Sequence, residues 1–293
     1  MPDPPDYIGF YVNLDRSTAR RTAIESRLAA LGVAHAYSRF AAIDGHGIAG
    51  PAGKLSPGAL GCFASHVGAL RQAIGAGTHV HVLEDDVLLA PELIPALKAM
   101  LARRVLEEFD ILYTDVFVPV DSHTMMIYER ERRQIVQAEP QTRTETCRGV
   151  RVVDLRGRAW ASLSSYLVAG RSVEKVVELL DCELRAGPGM PVDLMMRKLV
   201  NAGTLRAGCT LPFLTTLDLT LDLDSTIRSS AGAEQRSRLA SSLVRHAFYL
   251  HPDWPVVERL MRQYFPQSAL TPRSVVFGRM LDFQIFGDFE YFS

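Results

Sequence analysis

Short apolar runs alternate with helix-like segments over the first 113 residues of the chain. The runs at 7–14, 35–43, 80–83 and 109–113 are rich in aromatic and β-branched residues, which indicates buried strands. Between them, apolar residues recur at helical spacing, in places after a Ser or Pro that can begin a helix. Strands that alternate with helices in this way predict a parallel sheet with helices on both faces. The predicted fold class is therefore α/β, and ligands are expected at the carboxyl ends of the strands.

The composition is that of a globular protein with a substantial core. Of the 293 residues, 47% are hydrophobic and 22% are charged, and the formal net charge is -1. This balance gives no overall attraction to nucleic acid, so we expect no nucleic-acid partner. The N-terminal segment shows no secretory signal, and no apolar run is long enough to span a bilayer, which favours a cytoplasmic location.

The cysteines lie far apart in the sequence. They are Cys62, Cys147, Cys182 and Cys209. Without closely spaced pairs, this pattern favours buried free thiols over a zinc site. Free thiols also fit the reducing conditions of the cytoplasm.

Three adjacent carboxylates follow the predicted strand at 80–83. They are Glu84, Asp85 and Asp86, in the stretch HVHVLEDDVLL. Neighbouring carboxylates repel one another, and a divalent cation such as Mg²⁺ or Mn²⁺ relieves that repulsion by taking oxygen ligands. The alternative is an exposed acidic turn. The apolar residues on both sides, together with the position at the ligand-binding edge of the sheet, favour the cation site.

Other polar residues allow both a functional and an ordinary interpretation. Arg16 and Arg20 lie at the first strand–helix junction, where they could meet phosphates or simply be solvated. Ser65 and His66 lie within an apolar helix, where a lone histidine is more often a satisfied core residue than a ligand. Asp193 follows a proline at a helix start, which is also a common capping position. No phosphate-loop, dinucleotide-binding or nucleophile-elbow motif occurs in a supporting position.

The remainder of the chain is less regular. Strands are predicted at 160–169 and 205–214, and helices at 173–184 and 191–200. The charge-rich segment 115–158 could form hairpins or a flexible flap, and its sequence does not decide between them. A polar loop is expected at 215–230, followed by a helical pattern. We therefore divide the chain into a domain at 1–230 and a helical C-terminal extension at 231–293.

Several motifs occur in an order and at a spacing that resemble a known family. They are YVNLDRSTARR (11–21), FAAIDG (40–45), LSPGALGCFASHVGAL (55–70), VLEDDVLL (82–89), SSYLVAG (164–170), PVDLMM (191–196) and, more weakly, DSTIRSS (224–230). With this set the chain resembles glycosyltransferase family 25, the lipooligosaccharide-type galactosyltransferases, over about residues 7–230. Each motif alone is weak, whereas the ordered set is specific.

The resemblance implies a GT-A-like nucleotide-binding fold with a mostly parallel central sheet flanked by helices. It also implies transfer of a hexose, often galactose from UDP-galactose, with inversion at the anomeric carbon. The acceptor would be a hydroxyl of a lipopolysaccharide, lipooligosaccharide or related surface glycan, and Mn²⁺ or Mg²⁺ would be the cofactor. Two alternatives stay open: a catalytically silent nucleotide-sugar-binding member, and a nucleotidyltransferase on a similar sheet. The second needs a glycine-rich phosphate loop, and NLDRSTARR contains no glycine.

The resemblance further implies roles for individual residues of this chain. Asp86, together with Glu84, would bind the metal ion. Asp193 would be the general base that takes the proton of the acceptor hydroxyl. The donor-binding residues would be Asn13, Arg16, Arg20, Ser65, His66, Glu84 and Asp85.

The segment 238–265 carries aromatic and basic residues at helical spacing. It could pack on the core as a helical cap. It could instead make a peripheral contact with the cytoplasmic face of the inner membrane, where lipid-linked glycan acceptors reside.

Overall fold

A computed structural model describes residues 7–48, 55–137, 149–222 and 233–265 of the chain. Its strands are β1 (Tyr7–Asn13), β2 (Tyr37–Ala41), β3 (His79–Glu84), β4 (Val87–Leu89), β5 (Ile111–Tyr113), β6 (Arg151–Asp154), β7 (Ser165–Val168), β8 (Ala207–Leu211) and β9 (Thr215–Leu217). Its helices are α1 (Thr18–Ala30), α2 (Pro57–Arg71), α3 (Leu93–Ala102), α4 (Val105–Glu108), α5 (Ser122–Gln137), α6 (Val173–Ala186), α7 (Val192–Asn201), α8 (Leu219–Asp222), α9 (Ala233–Ala247) and α10 (Trp254–Tyr264).

Seven strands form the central sheet in the order β2-β1-β3-β7-β5-β8-β6. β1 pairs in parallel with β2 and β3, and β5 pairs in parallel with β8. β7 lies antiparallel between β3 and β5, and β6 is antiparallel to β8. Five of the seven strands therefore run in one direction and end at the same edge. The predicted α/β fold, with a mostly parallel central sheet flanked by helices, is confirmed.

The central strands are apolar on both faces because helices cover both sides of the sheet. Successive side chains of a strand point to opposite faces. In β1, Phe10 and Val12 join the core cluster that includes residues of α2, α6 and α7, whereas Tyr7 and Tyr11 join the cluster that includes residues of α1 and α3. The sheet is therefore the middle of three layers, and side chains from both helical layers can reach its carboxyl edge.

Helix α2 begins as the sequence predicts and lies close to the segment that follows β2. Ser56 accepts a hydrogen bond from the N–H of Ala59, and Pro57 occupies the first turn. A Cβ on Gly61 would lie 2.5 Å from the carbonyl oxygen of Ile43, so this approach requires glycine. The close contact fixes α2 relative to the ends of β1 and β2.

Some local predictions differ from the structure. The segment 215–230 begins with a strand rather than a loop, because β9 pairs antiparallel with β4, which is the VLL sequence after the three acids. Each of these strands has three residues, too few for a recognisable period. The segment 115–158 contains helix α5 and strand β6, and its residues 138–148 lie outside the described part of the chain.

The cysteine prediction is correct in one respect and wrong in another. Cys62, Cys182 and Cys209 are free thiols, as expected. Only Cys209 is buried among these three, since Cys62 is half-buried and Cys182 is exposed. Cys147 lies outside the described residues.

Helices α9 and α10 pack on the rest of the chain. Phe248 belongs to the same core cluster as α2, and its carbonyl accepts the N–H of Phe213 at 2.8 Å. The predicted helical character of the C-terminal extension is confirmed over the described part, 233–265, whereas the boundary at 230 and the motif at 224–230 lie outside it. Within the described residues, no helix combines the length and apolar character needed to cross a membrane.

A buried ion pair joins α9 to the sheet. Arg245 of α9 is 2% exposed, and Asp115, which follows β5, is 0% exposed. The Nε–H of Arg245 donates to Oδ2 of Asp115 at 2.6 Å, and the hydroxyl of Ser164 donates to Oδ1 at 2.9 Å. Removal of one partner from such a pair leaves a buried charge without compensation.

We predict that Arg245→Met lowers the free energy of unfolding by about 3–5 kcal/mol, because the Asp115 carboxylate loses its counter-ion. Urea denaturation followed by circular dichroism measures the loss, and adding Asp115→Asn should recover part of it. The matched control is Arg262→Met, which removes the exposed pair with Glu258 and should change stability by less than about 1 kcal/mol. Equal losses in Arg245→Met and the control would contradict the assignment.

Candidate functional site

The polar ends of β1 and β3 meet at one edge of the sheet. In the pairing register Val12 lies opposite Glu84, so Asn13 is a neighbour of the three acids. Glu84 is the last residue of β3, and Asp85 and Asp86 form the tight turn into β4. The three carboxylates are therefore adjacent in sequence but contact different partners.

Asp85 and Asp86 accept hydrogen bonds from residues of β1 and α1. Both aspartates are 8% exposed. Nδ2 of Asn13 donates to Asp85 at 2.6 Å, and the Arg20 guanidinium donates to Asp85 at 3.2 Å and to Asp86 at 3.1 Å. Burial raises the pKa of Asp85, and the charge of Glu84 adds to this rise, while the bonds from Asn13 and Arg20 partly offset it. Arg20 thus compensates part of the negative charge that the turn concentrates.

Glu84 contacts helix α2 instead. Its Oε1 lies 3.3 Å from Nε2 of His66 and 3.9 Å from Sγ of Cys62. Cys62 and His66 are four residues apart and therefore share one face of α2. Burial acts to raise the pKa of Glu84, but its hydrogen bond and charge interaction with His66, together with the positive charge of Arg245, outweigh burial and lower it. Nδ1 of His66 lies 3.0 Å from the hydroxyl of Tyr166, so both ring nitrogens of His66 have a partner.

The two predicted metal ligands thus have different surroundings. One ligand atom each of Glu84, Cys62 and His66 lies within 4.8 Å of the others. Among the described residues this is the one such group of three or more, and Asp86 is not part of it. Asp86 instead contacts Arg20 at 3.1 Å.

A cleft of about 870 Å³ opens at this edge, and we name it the strand-edge cleft. Its polar wall includes Arg16, Ser17, Arg20, Asp44, His46, Cys62, Ser65, His66, Glu84, Asp85 and Asp86. It therefore includes every predicted donor-binding residue except Asn13, which supports Asp85 through a hydrogen bond. Arg16 is exposed and pairs with the exposed Asp44 at 2.6 Å. The hydroxyl of Ser65 donates to the carbonyl of Gly61 at 2.6 Å and accepts from the N–H of Ile43 at 2.8 Å, so it positions α2.

A second cavity, which we name the side pocket, adjoins the strand-edge cleft and measures about 1080 Å³. Its wall includes Phe117, Ser162, Leu163, Asp193, Leu217, Arg238, Ser242 and Arg245. Among the described residues, Cys62 and Glu84 are the two that line both cavities. The two cavities therefore share one wall.

Asp193 lies in the side pocket and not in the strand-edge cleft. Its Oδ2 accepts the N–H of Ser162 at 3.0 Å, and its Oδ1 accepts the N–H of Leu194 at 2.9 Å. Ser162 has a φ of 83°, a left-handed backbone conformation that costs a non-glycine residue of order 1–3 kcal/mol. The bond to Asp193 helps to hold this conformation, and both residues face the pocket.

Three residues in or beside the site are not predicted as functional from the sequence. Asp115 follows the carboxyl end of β5, so the rule that identified Glu84 would also have identified it. Cys62 is four residues before His66, a mixed Cys–His spacing that is not part of the rules based on closely spaced cysteine pairs. Arg245 carries no signal of its own, because a tertiary contact across 130 residues brings it to Asp115.

Comparison with known proteins identifies the family. A comparison with curated proteins gives no significant match. The sequence model of Glycosyltransferase family 25 (LPS biosynthesis protein) matches residues 8–196, which include every residue predicted for the site. Since this match spans well over half of the 293 residues, the chain belongs to glycosyltransferase family 25 and is a glycosyltransferase of lipopolysaccharide biosynthesis.

Proposed function

We propose that the chain is a metal-dependent, inverting hexosyltransferase that transfers galactose from UDP-galactose to a hydroxyl of a lipopolysaccharide or lipooligosaccharide acceptor. The observation that carries this proposal is the pair of adjoining cavities with a shared wall at Glu84 and Cys62. A transferase must hold two substrates with their reacting atoms in contact. Two cavities separated by one layer of side chains suit that requirement.

The strand-edge cleft is the proposed donor site. A nucleoside diphosphate sugar carries two negative charges on its diphosphate, and these require cationic partners. Arg16 and Arg20 supply such charges from the start of α1, where the helix dipole also favours an anion. Arg16 pairs with Asp44 at the surface, where both side chains are exposed, so it can exchange this contact for a phosphate. Arg20 is 16% exposed and is already oriented by Asp85 and Asp86.

The donor set at the end of β3 fits a hard divalent cation. Glu84 and Asp86 both line the strand-edge cleft and offer carboxylate oxygens, which Mn²⁺ and Mg²⁺ prefer. A bound Mn²⁺ would neutralise diphosphate charge and assist departure of the nucleotide as a Lewis acid. Arg20 and Asn13 would keep Asp85 and Asp86 in place, because both side chains already bond to this turn.

Asp193 is the proposed general base. Inversion requires a base on the side of the sugar opposite the departing diphosphate. The location of Asp193 in the side pocket, away from Arg20 and Asp86, supports this role. Two backbone N–H groups hold its carboxylate in one orientation, as positioning of a proton acceptor requires.

The proposed acceptor is a glycolipid at the cytoplasmic face of the inner membrane, and α10 is the proposed membrane contact. Trp254 is 51% exposed and Met261 is 44% exposed, and a spacing of seven residues places them on one face of α10. Arg259 and Arg262 on the same helix can attract anionic lipid headgroups. The free thiols of Cys62, Cys182 and Cys209 suit a reducing compartment.

Metal dependence can be tested by release of UDP from UDP-galactose. EDTA should abolish turnover and added Mn²⁺ should restore it. Asp86→Asn should lower kcat by about 100-fold or more, because the metal supplies several kcal/mol of charge stabilisation. The control Asp154→Asn, at the exposed end of β6 and outside the lining of both cavities, should behave like the wild-type chain. Normal turnover in EDTA, or in a folded Asp86→Asn variant, would refute the metal assignment.

The base assignment predicts a specific kinetic signature. Asp193→Asn should lower kcat by about 10²- to 10⁴-fold, the contribution typical of a general base. Its affinity for UDP-galactose, measured by calorimetry with Mn²⁺ present, should stay at the wild-type value because Asp193 lies outside the donor cleft. A parallel loss of donor affinity would instead assign Asp193 to substrate binding.

Membrane contact can be tested by flotation with vesicles that contain anionic phospholipid. Trp254→Glu combined with Met261→Glu should abolish flotation and leave UDP-galactose hydrolysis in solution unchanged, since α10 lies outside both cavities. Ile74→Glu is the matched control, because Ile74 is 43% exposed at a different place on the surface. Flotation that persists in the double variant would exclude α10 as the contact.

A further inference from the structure

We propose that Cys62, His66 and Glu84 form a binding site for a borderline-soft divalent cation, such as Zn²⁺, in the wall between the strand-edge cleft and the side pocket. This site differs from the hard-cation site proposed above, which depends on Asp86. Both sites would use Glu84, but only the site proposed here would use Cys62 and His66. Only the placement between two substrates rests on the proposed function, because the binding of metal can be measured without any sugar.

The three side chains are the ligand types that zinc combines. Thiolate, imidazole and carboxylate are all common zinc ligands, and the thiolate disfavours Mg²⁺ and Ca²⁺. A tetrahedral zinc ion with ordinary bond lengths separates a nitrogen and an oxygen ligand by about 3.4 Å, and a sulfur and an oxygen ligand by about 3.6 Å. The corresponding distances from Oε1 of Glu84 are 3.3 Å to His66 and 3.9 Å to Cys62. The two separations from Glu84 are thus close to those of a metal site before any adjustment, and all three ligand atoms lie within 4.8 Å of one another.

The surroundings of His66 are those of a ligating histidine. Such a histidine almost always bonds through its second ring nitrogen to an outer partner that fixes its orientation. Nδ1 of His66 lies 3.0 Å from the hydroxyl of Tyr166, which leaves Nε2 directed at Glu84. His66 and Tyr166 are each 1% exposed, so this orientation is held by packing as well.

The geometry leaves the cation one open position. Three protein ligands with a free fourth place are typical of catalytic rather than structural zinc sites. Because Cys62 and Glu84 line both cavities, the fourth place faces the junction where donor and acceptor meet. Its ligand would be an oxygen, from water or from a hydroxyl of the acceptor sugar.

Cobalt provides a direct probe of the thiolate ligand. The full-length chain, stripped of metal by a chelator and titrated with Co²⁺, should develop a near-ultraviolet thiolate-to-cobalt absorption band that Zn²⁺ abolishes. Cys62→Ser should remove the band, and His66→Gln should weaken Zn²⁺ binding by at least about 10- to 100-fold, the loss that follows even from an outer-shell change. Cys182→Ser and Cys147→Ser are the matched controls and should retain the band.

Each outcome separates this proposal from the proposed function. Absence of the band in the wild-type chain would overturn the proposal. Cys62, His66 and Glu84 would then be a hydrogen-bonded group that binds no metal, and this measurement needs no variant. Retention of the band in Cys62→Ser, or its loss in Cys182→Ser, would overturn it as well. Asp86→Asn should keep the band while losing Mn²⁺-dependent UDP release. Galactosyl transfer without any cobalt band would therefore support the proposed function and reject this site.

Discussion

The repulsion between three adjacent carboxylates is the constraint on which the edge of this sheet depends. The chain meets it by turning after β3, so that Asp85 and Asp86 contact Arg20 while Glu84 contacts His66. Arg20 comes from α1 and His66 from α2, helices whose apolar residues belong to different core clusters. Compensation of the three carboxylates at the end of β3 therefore requires both α1 and α2, one from each helical layer. Loss of either layer would leave partly buried carboxylates without compensation, so the site and the fold are stable together.

Sequence patterns predict the parts of this protein that depend on local or periodic signals. The alternation of strand-like and helix-like segments predicts the first strands and the polar edge of the sheet. The Ser-Pro pair predicts the start of α2, and the ordered motifs indicate the family. The pairing of β4 with β9 is not predictable in this way, because two three-residue strands have no period and meet across more than 120 residues. The charge of α5 concealed a helix, since its polar residues reduce the apolar signal. A ligand role for Cys62 is not predictable from cysteine spacing, because its neighbours are a histidine one turn away and a glutamate from another element.

The C-terminal helices belong to the site as well as to the fold. The family match ends at residue 196, within α7, yet Arg245 and Ser242 of α9 line the side pocket. Arg245 also lies near enough to lower the pKa of Glu84 and is held by Asp115 at the end of β5. The charge of Arg245 on α9 thus acts on both Glu84 at the end of β3 and Asp115 after β5. The side pocket is therefore built partly by residues that lie outside the family match.

The shared wall has a consequence for how this enzyme can diversify. Glu84 and Cys62 border both cavities, so a substitution at either position alters the lining of two cavities at once. One substitution there has more than one effect, and its effects depend on which residues surround it in each cavity. A substitution at a residue that borders one cavity alone, such as Ser242 in the side pocket, should change that cavity without changing the other. The shared wall is thus expected to tolerate less change than the rims that border one cavity alone.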